Sequence, residues 1–138
     1  MTTKSYLQQL DIMNTSINEK LDEIYKLRSE SCSIGVSTNS DKIIYSGDND
    51  KMGSIVSKIV DMENETDKII DKYSDLRDTI IEQISSINEE LYRHVLYKRY
   101  VKFKTFGEIA KEIGMTRSGT FKLHDRALMK FEKTQNIV

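Results

Sequence analysis

A heptad pattern of apolar residues constrains the fold of this chain more than any other feature of its sequence. Between Met52 and Ile87, apolar side chains recur at alternating intervals of three and four residues, which places them on one stripe of a long α-helix. The stripe consists of Met52, Ile55, Ile59, Met62, Thr66, Ile69, Tyr73, Leu76, Ile80, Gln83 and Ile87. Because an exposed stripe of this size is costly in water, the pattern predicts a second helix packed along it.

A stripe nearer the N-terminus supplies that second helix. From about Ser5 to Ser29, the apolar residues are Leu7, Leu10, Met13, Ile17, Leu21, Ile24 and Leu27, again three or four positions apart. The polar residues 29–53 have no sustained period, so they predict a long loop. We therefore expect residues 1–87 to form a helical hairpin whose shorter first helix leaves part of the second stripe for another subunit. This arrangement favours a coiled-coil homodimer.

Charge is distributed unevenly along the chain, although the net charge is only −1. Residues 1–87 contain 10 Lys and Arg against 16 Asp and Glu, whereas residues 88–138 contain 11 against 6. A basic segment suits a polyanion such as double-stranded DNA, because each cation that neutralises a phosphate releases condensed counterions. The alternative is a solvated basic surface that has no partner.

Composition and motifs narrow the class of protein further. No apolar run approaches the roughly 20 residues that a membrane span needs, and the N-terminus lacks the apolar core of a secretion signal, so we expect a cytoplasmic protein without a membrane partner. The single Cys32 has no Cys or His neighbours, so no metal site is expected. No nucleophile, paired-acid or phosphate-loop arrangement stands out, and the sequence therefore predicts neither an enzyme nor a cofactor.

Residues 88–138 predict three short helices. Ser86 with Glu89 and Thr105 with Glu108 each match the Ser/Thr-x-x-Glu capping box, in which two side chains satisfy backbone amides at a helix start. The expected inward-facing residues are Leu91, Val95, Leu96 and Tyr100 in the first helix, Phe106, Ile109 and Ile113 in the second, and Thr120, Leu123, Ala127, Leu128 and Phe131 in the third. The chain is thus expected to be all-α, with a long helical hairpin over residues 1–87 and a three-helix domain over residues 88–138.

A tight turn is expected between the second and third of these helices. Gly114 stands where the chain needs a positive φ, which glycine tolerates best, and Thr116 is a good N-cap for the helix that follows. Two short helices joined in this way are typical of a helix-turn-helix, whose second helix enters the DNA major groove. The residues that we expect to contact DNA are Lys104, Thr105, Thr116, Arg117, Ser118, Gly119, Phe121, Lys122 and Arg126.

The residue types of this set fit DNA recognition. Arg117 and Lys122 can donate to guanine edges or phosphates, and the Phe121 ring can lie on a thymine methyl. Gly119 within a helix costs up to about 1 kcal/mol relative to Ala, which favours a steric or functional reason for it. His124 lies between this face and the core and is interpreted as a packing or phosphate-side residue. The alternative for the whole face is an ordinary amphipathic helix.

Three sequence blocks carry a resemblance to a known DNA-binding domain. The segment from Leu91 to Phe131 resembles region 4 of sigma-70-type factors, with LYKRY, FGEIAKEIGMTR and RALMKF as the matching blocks. Nothing resembles sigma region 2, and Ser118, Gly119 and Phe121 stand where region 4 usually carries charged residues. The resemblance implies a helix-turn-helix that binds promoter DNA, with RNA polymerase as a further partner.

A wider resemblance covers most of the chain. From GSIVSKIVDMENETDKIIDKYSDL through VLYKRY to KLHDRAL, the sequence is similar to a family of short prophage-encoded proteins of low-GC Gram-positive bacteria, akin to the ArpU and RinA-type regulators of late phage genes. This implies a sequence-specific transcriptional regulator of phage or prophage genes in the cytoplasm of a bacterial host. The alternatives are a small terminase subunit, which marks viral DNA for packaging and forms a larger ring, and an adaptor that binds RNA polymerase.

Overall fold

The computed structural model describes residues 1–37 and 46–135, in which every regular element is helical. The helices are α1 (Thr3–Ser37), α2 (Ser46–Ser85), α3 (Glu90–Leu96), α4 (Phe106–Ile113) and α5 (Arg117–Gln135), and a π-helical turn (Tyr97–Val101) continues α3. The all-α fold class predicted from the sequence is confirmed. Among the described helices, none is both long and apolar enough to cross a membrane.

The first two helices are longer than the sequence pattern predicts. α1 runs to Ser37 and α2 begins at Ser46, so the expected loop over residues 29–53 is wrong at both ends, while residues 38–45 lie outside the described residues. Extending an existing helix is far easier than nucleating one, and Ser, Asn or Gly costs at most about 1 kcal/mol per residue. The two helices have 35 and 40 residues, so α1 is not the short partner that was expected to leave part of the α2 stripe free.

The heptad stripe of α2 is its less exposed face, as predicted. All of its positions are buried or half-buried, with Ile59, Thr66 and Ile80 among the buried ones. Thr66 donates its hydroxyl to the Met62 carbonyl over 2.7 Å, so its burial leaves no unpaired polar group. The stripe of α1 is likewise buried or half-buried except at Leu21, which is exposed.

The chain packs as two compact units. The two-helix unit is Thr15–Lys72, and the packed unit combines Met1–Asn14 with Tyr73–Val138. The predicted boundary between residues 87 and 88 does not coincide with this division. The reason is that the first turns of α1 and the last turns of α2 contribute side chains to the same core as the three C-terminal helices.

One hydrophobic core holds the packed unit together. Its buried members are Leu7, Leu10, Ile80, Ile84, Ile87, Val95, Leu96, Tyr100, Val101, Ile109, Leu123, Ala127 and Phe131. α5 packs against both α3 and α4, so each of the three C-terminal helices is held by at least one other. Full burial of a side chain of this size stabilises the fold by about 1.5 to 3 kcal/mol, which makes this core the main support of α5.

The start of α3 differs from the prediction. Ser86 and Glu89 form no capping box: the Ser86 hydroxyl donates to the Gln83 carbonyl at the end of α2, and Glu89 is an N-cap without a side-chain hydrogen bond. The apolar stripe of α2 continues to Ile87, which keeps the preceding residues helical and places Ser86 at a helix end rather than a helix start. The Arg93 guanidinium instead donates to two backbone carbonyls between the helices, at 2.6 and 2.9 Å.

A π-helical turn and a left-handed residue connect α3 to α4. The Lys102 amide donates to the Tyr97 carbonyl five residues back. Phe103 then adopts a φ of 59°, which residues other than glycine rarely take. Tyr100 is buried within the turn, as predicted for this segment, whereas Leu91 at the start of α3 is exposed rather than inward-facing.

Candidate nucleic-acid interface

Thr105 and Glu108 form the predicted capping box at the start of α4. The Thr105 hydroxyl accepts a hydrogen bond from the Glu108 amide at 3.2 Å. The Glu108 carboxylate accepts one hydrogen bond from the Thr105 amide at 3.5 Å and one from the Thr105 hydroxyl at 3.1 Å. The Thr105 side chain is therefore engaged in holding the helix start. A DNA phosphate would have to compete with that cap for the same hydroxyl.

The turn between α4 and α5 also follows the sequence prediction. Gly114 has a φ of 70° and a ψ of 35°, the left-handed conformation expected there. Thr116 accepts the Gly119 amide on its hydroxyl at 3.0 Å and so caps the start of α5. A Cβ on Gly119 would lie 3.1 Å from that hydroxyl oxygen and 3.3 Å from the Met115 Cε. The presence of glycine at position 119 thus has a local steric explanation, because a larger residue would crowd the cap.

The orientation of α5 is set by the face that it buries. Thr120, Leu123, His124, Ala127 and Phe131 are buried, and Leu128 is half-buried. Arg117, Ser118, Phe121, Lys122 and Arg126 are exposed. Since a helix residue is rotated by about 100° from the next, the buried set leaves Ser118 and Lys122 pointing away from the core. This exposed face is called the α5 surface below.

The basic residues expected at the site differ in whether they form ion pairs within the protein. Within the described part of the chain, Arg117, Lys122 and Arg126 form no ion pair with an acidic side chain. The Lys104 ammonium, in contrast, lies 2.7 and 2.9 Å from the two carboxylate oxygens of Glu112. The positive charge of Lys104 is therefore compensated within the protein, whereas the charges of the α5 surface face solvent.

Glu112 is held between two lysines. Lys98 approaches the same carboxylate at 3.0 Å, so the three side chains form a network on the exposed side of α4. The hydrogen bonds from Lys104 and Lys98 lower the pKa of the Glu112 carboxyl below its ordinary value. The carboxylate therefore stays ionised at neutral pH and keeps both lysines occupied.

An aromatic cluster fixes the first turns of α5 against α4. The Phe121 ring lies 4.3 Å from the Phe106 ring, and the Arg99 guanidinium lies 4.2 Å from the centre of the Phe106 ring. Phe121 is nonetheless 42% exposed, so part of its ring remains available to a partner. No sequence pattern predicts this cluster, because its members come from three separate segments.

His124 is a packing residue in this structure. Its Nε2 lies 2.6 Å from the buried Tyr100 hydroxyl, and its Nδ1 lies 3.5 Å from the Asp125 carboxylate. Burial lowers the pKa of His124, although the hydrogen bond that its Nδ1 donates to the Asp125 carboxylate opposes this, and burial raises the pKa of Tyr100 to about 12. At neutral pH the Tyr100 hydroxyl therefore donates to a neutral imidazole. Of the two interpretations made from the sequence, a packing or a phosphate-side residue, the packing one agrees with this burial.

The residues expected at the site thus divide into two groups. Arg117, Ser118, Phe121, Lys122 and Arg126 share the α5 surface, whereas Lys104, Thr105 and Thr116 are engaged in contacts within the protein and Gly119 is half-buried beneath the cap. Among residues 1–37 and 46–135, no three His, Cys, Asp or Glu side chains are grouped as metal ligands would be.

Comparisons with known proteins add no further evidence about this surface. No protein-family model matches the chain, and the searches of curated proteins and of solved structures found no match. The resemblance to sigma region 4 and to prophage-encoded regulators therefore stays a prediction from the sequence.

Proposed function

We propose that this protein is a sequence-specific, double-stranded-DNA-binding transcriptional regulator of phage or prophage genes, active in the cytoplasm of a bacterial host. α4, the turn through Gly114 and α5 act as its helix-turn-helix. The observation that carries the proposal is the group of exposed Arg117, Lys122 and Arg126 side chains on one helix, without an acidic partner among the described residues. The phage context rests on the sequence resemblance alone.

The α5 surface has the form that a major groove accepts. A helix with its side chains is about 10 to 12 Å across, and the major groove of B-DNA is about 12 Å wide. Ser118 and Lys122 lie one turn apart near the start of α5, and the first turns of a recognition helix are the part that reaches base edges. The amides at the helix start also favour a nearby phosphate.

The exposed side chains can take different roles in the complex. Lys122 is directed away from the core and is best placed to reach a base edge, with Ser118 beside it. Arg117 and Arg126 lie towards the two sides of the exposed face, where phosphates flank a helix in the groove. Asp125 is also exposed, and its negative charge limits how far along α5 the DNA backbone can approach.

The partners follow from the same proposal. A homodimer presents two α5 surfaces, which favours DNA half-sites about one or more helical turns apart. RNA polymerase is the further partner that the resemblance to sigma region 4 suggests. Lys104 and Thr105 make a smaller contribution to binding than the α5 surface, because Glu112 and the helix cap already engage them.

A salt-dependent titration of duplex DNA tests this proposal. Fluorescence anisotropy with a labelled duplex measures the dissociation constant of the full chain at several salt concentrations. We expect Lys122→Ala and Arg126→Ala to weaken binding, and each lost phosphate contact to reduce the slope of log affinity against log salt by about 1. Lys68→Ala, an exposed lysine of α2, is the matched control and should leave the slope unchanged.

Two results of that titration contradict the proposal. The first is a wild-type protein that does not bind duplex DNA even at low salt. The second is an equal loss of affinity from Lys68→Ala and Lys122→Ala, which would indicate a diffuse charge effect rather than a binding face.

A further inference from the structure

Among the described residues of the two-helix unit, five exposed apolar side chains lie on one side. They are Leu21 (46% exposed) and Tyr25 (73%) on α1, and Val56 (48%), Val60 (49%) and Ile70 (37%) on α2. An ion pair stands among them, with the Arg28 guanidinium 2.9 Å from the Glu63 carboxylate. Among the residues of this unit whose burial is described, 15–32 and 51–72, only Ile17, Ile24, Ile59 and Thr66 are buried, so the two helices cover a small part of the apolar surface there.

The helical repeat places these residues on a common side. Seven residues make almost two full turns, so residues seven apart on a helix point in nearly the same direction. Leu21 lies seven residues before Arg28, while Val56 and Ile70 lie seven before and seven after Glu63. Because Arg28 and Glu63 touch, the side of α1 and the side of α2 that carry these residues adjoin each other.

The number of residues between α1 and α2 determines whether the two helices run parallel or antiparallel. Arg28 lies nine residues before the end of α1, and Glu63 lies seventeen residues after the start of α2. If the helices ran parallel, those ends would be about 39 Å apart at about 1.5 Å per residue. The nine peptide steps between the ends reach at most about 32 Å. The helices therefore run antiparallel, and Leu21 lies level with Ile70, about 10 Å along the pair from the Arg28 and Glu63 contact.

We propose that this side binds the same side of a second copy of the chain, so that two parallel copies form a four-helix bundle about a twofold axis along the helices. In that arrangement α1 of each copy faces α2 of the other. Two Leu21 and two Ile70 side chains then share one apolar layer, and Arg28 of each copy faces Glu63 of the other. The proposal deepens the homodimer of the proposed function and names the surface that forms it.

Charge complementarity identifies a second copy, in this orientation, as the occupant. With the copies parallel, the four charged side chains of the middle layer alternate in sign around the bundle, which is the pattern that sets partner choice in coiled coils. With the copies antiparallel about that layer, Arg28 would face Arg28 and Glu63 would face Glu63. A parallel second copy therefore satisfies both the ionic layer and the apolar layer with the same contacts.

Sedimentation equilibrium of the full chain without DNA tests the apolar layer. We expect a dimer for the wild type, and we expect Leu21→Glu to raise the dimer dissociation constant at least about tenfold, because two buried leucines per dimer are lost. Ile12→Glu is the matched control: Ile12 is also exposed on α1, but it lies nine residues from Leu21 and thus half a turn away. Circular dichroism checks that both variants keep their helix content.

A charge exchange tests the ionic layer independently. Arg28→Glu and Glu63→Arg should each weaken the dimer when measured alone, because all four charges of the layer then have the same sign. An equimolar mixture of the two variants should recover dimerisation as a heterodimer, with opposite charges facing each other.

Three results would overturn the proposal. They are a monomeric wild type, a dimer that Leu21→Glu leaves as tight as Ile12→Glu does, and a mixture of the charge variants that fails to associate. These measurements contain no DNA, so the two proposals can fail separately. A dimer that does not bind duplex DNA would contradict only the proposed function. A monomer that binds DNA would contradict only this interface.

Discussion

The packed unit and the two-helix unit draw on the same two long helices, but they hold those helices differently. In the packed unit, the ends of α1 and α2 share one core with three further helices, and Ile80 and Ile109 are completely buried. In the described part of the two-helix unit, the same heptad stripes meet without a third helix, and Leu21 of the α1 stripe is exposed. A heptad pattern therefore specifies which face of a helix turns inward, whereas the additional layer determines how completely that face is buried.

The two units differ in a way that suits the two roles proposed for them. The α5 surface belongs to the packed unit, where capping, a left-handed glycine and an aromatic cluster fix the direction of each exposed side chain. Sequence-specific recognition of DNA requires side chains whose directions are fixed, because base edges are distinguished by the positions of their hydrogen-bond donors and acceptors. The incompletely covered side of the two-helix unit is suited to association instead, which needs exposed apolar area.

The largest expected difference between the units comes from truncating a core isoleucine. We expect Ile109→Ala to destabilise the packed unit by about 2 to 5 kcal/mol, because neighbours on several sides cannot all close over the cavity. The same change at Ile59, in the two-helix unit, should cost less, since two helices can move together over the gap. Urea unfolding followed by circular dichroism measures both free energies of unfolding. Equal losses would contradict the contrast between the units.

Replacing one glycine in each unit by alanine should change stability by a smaller amount, with opposite sign in the two units. Gly114→Ala should destabilise the packed unit by about 1 to 2 kcal/mol, because its φ of 70° is unfavourable for any residue with a Cβ. Gly53→Ala should stabilise α2 by about 0.5 to 1 kcal/mol, since a Cβ there meets no atom within 4 Å. Thermal unfolding of the two variants checks the signs. A stabilising Gly114→Ala would mean that the turn before α5 is not held as described.

The smallest expected effect is a pH dependence confined to the packed unit. Burial lowers the pKa of His124 below its ordinary value of 6.5, so below about pH 6.5 the unfolded chain binds a proton that the folded chain does not. This contribution to stability is complete above pH 6.5 and is lost as the pH falls towards the lower pKa of the folded state.

Urea midpoints at about pH 7.5 and about pH 5.5 measure that dependence. The wild type should lose more stability between the two values than His124→Gln, in which the titrating group is absent while a polar partner for the Tyr100 hydroxyl is kept. Identical losses for the two proteins would show that His124 is already exposed or protonated.

Much of the packed unit could be predicted from the sequence because its signals are local. The capping box of Thr105 and Glu108, the left-handed Gly114 and the cap at Thr116 each depend on residues within one turn of the chain. The buried face of α5 follows from helical periodicity in the same way. The stripes of α1 and α2 were predictable for the same reason, and their inward-facing positions agree with the structure except at Leu21, which is exposed.

The features that could not be predicted depend on contacts between distant residues or on weak local preferences. Nothing in the run LYKRY indicates a π-helical turn, and Phe103 is not a residue type that favours a positive φ. The pairing of Lys104 with Glu112 depends on where α4 lies, and it engages within the protein a lysine that the sequence predicts to contact DNA. The helical extensions to Ser37 and from Ser46 occur in polar sequence that a periodicity argument interprets as loop.

The most direct test of the central claim, that the α5 surface reads DNA sequence, is selection of bound duplexes from a randomised library by the full chain. We expect the wild type and Lys68→Ala to enrich the same motif. Lys122→Ala should lose the preference at one base position and bind the wild-type motif more weakly by about 1 to 3 kcal/mol. No enriched motif for the wild type, or an unchanged motif and affinity for Lys122→Ala, would contradict the claim.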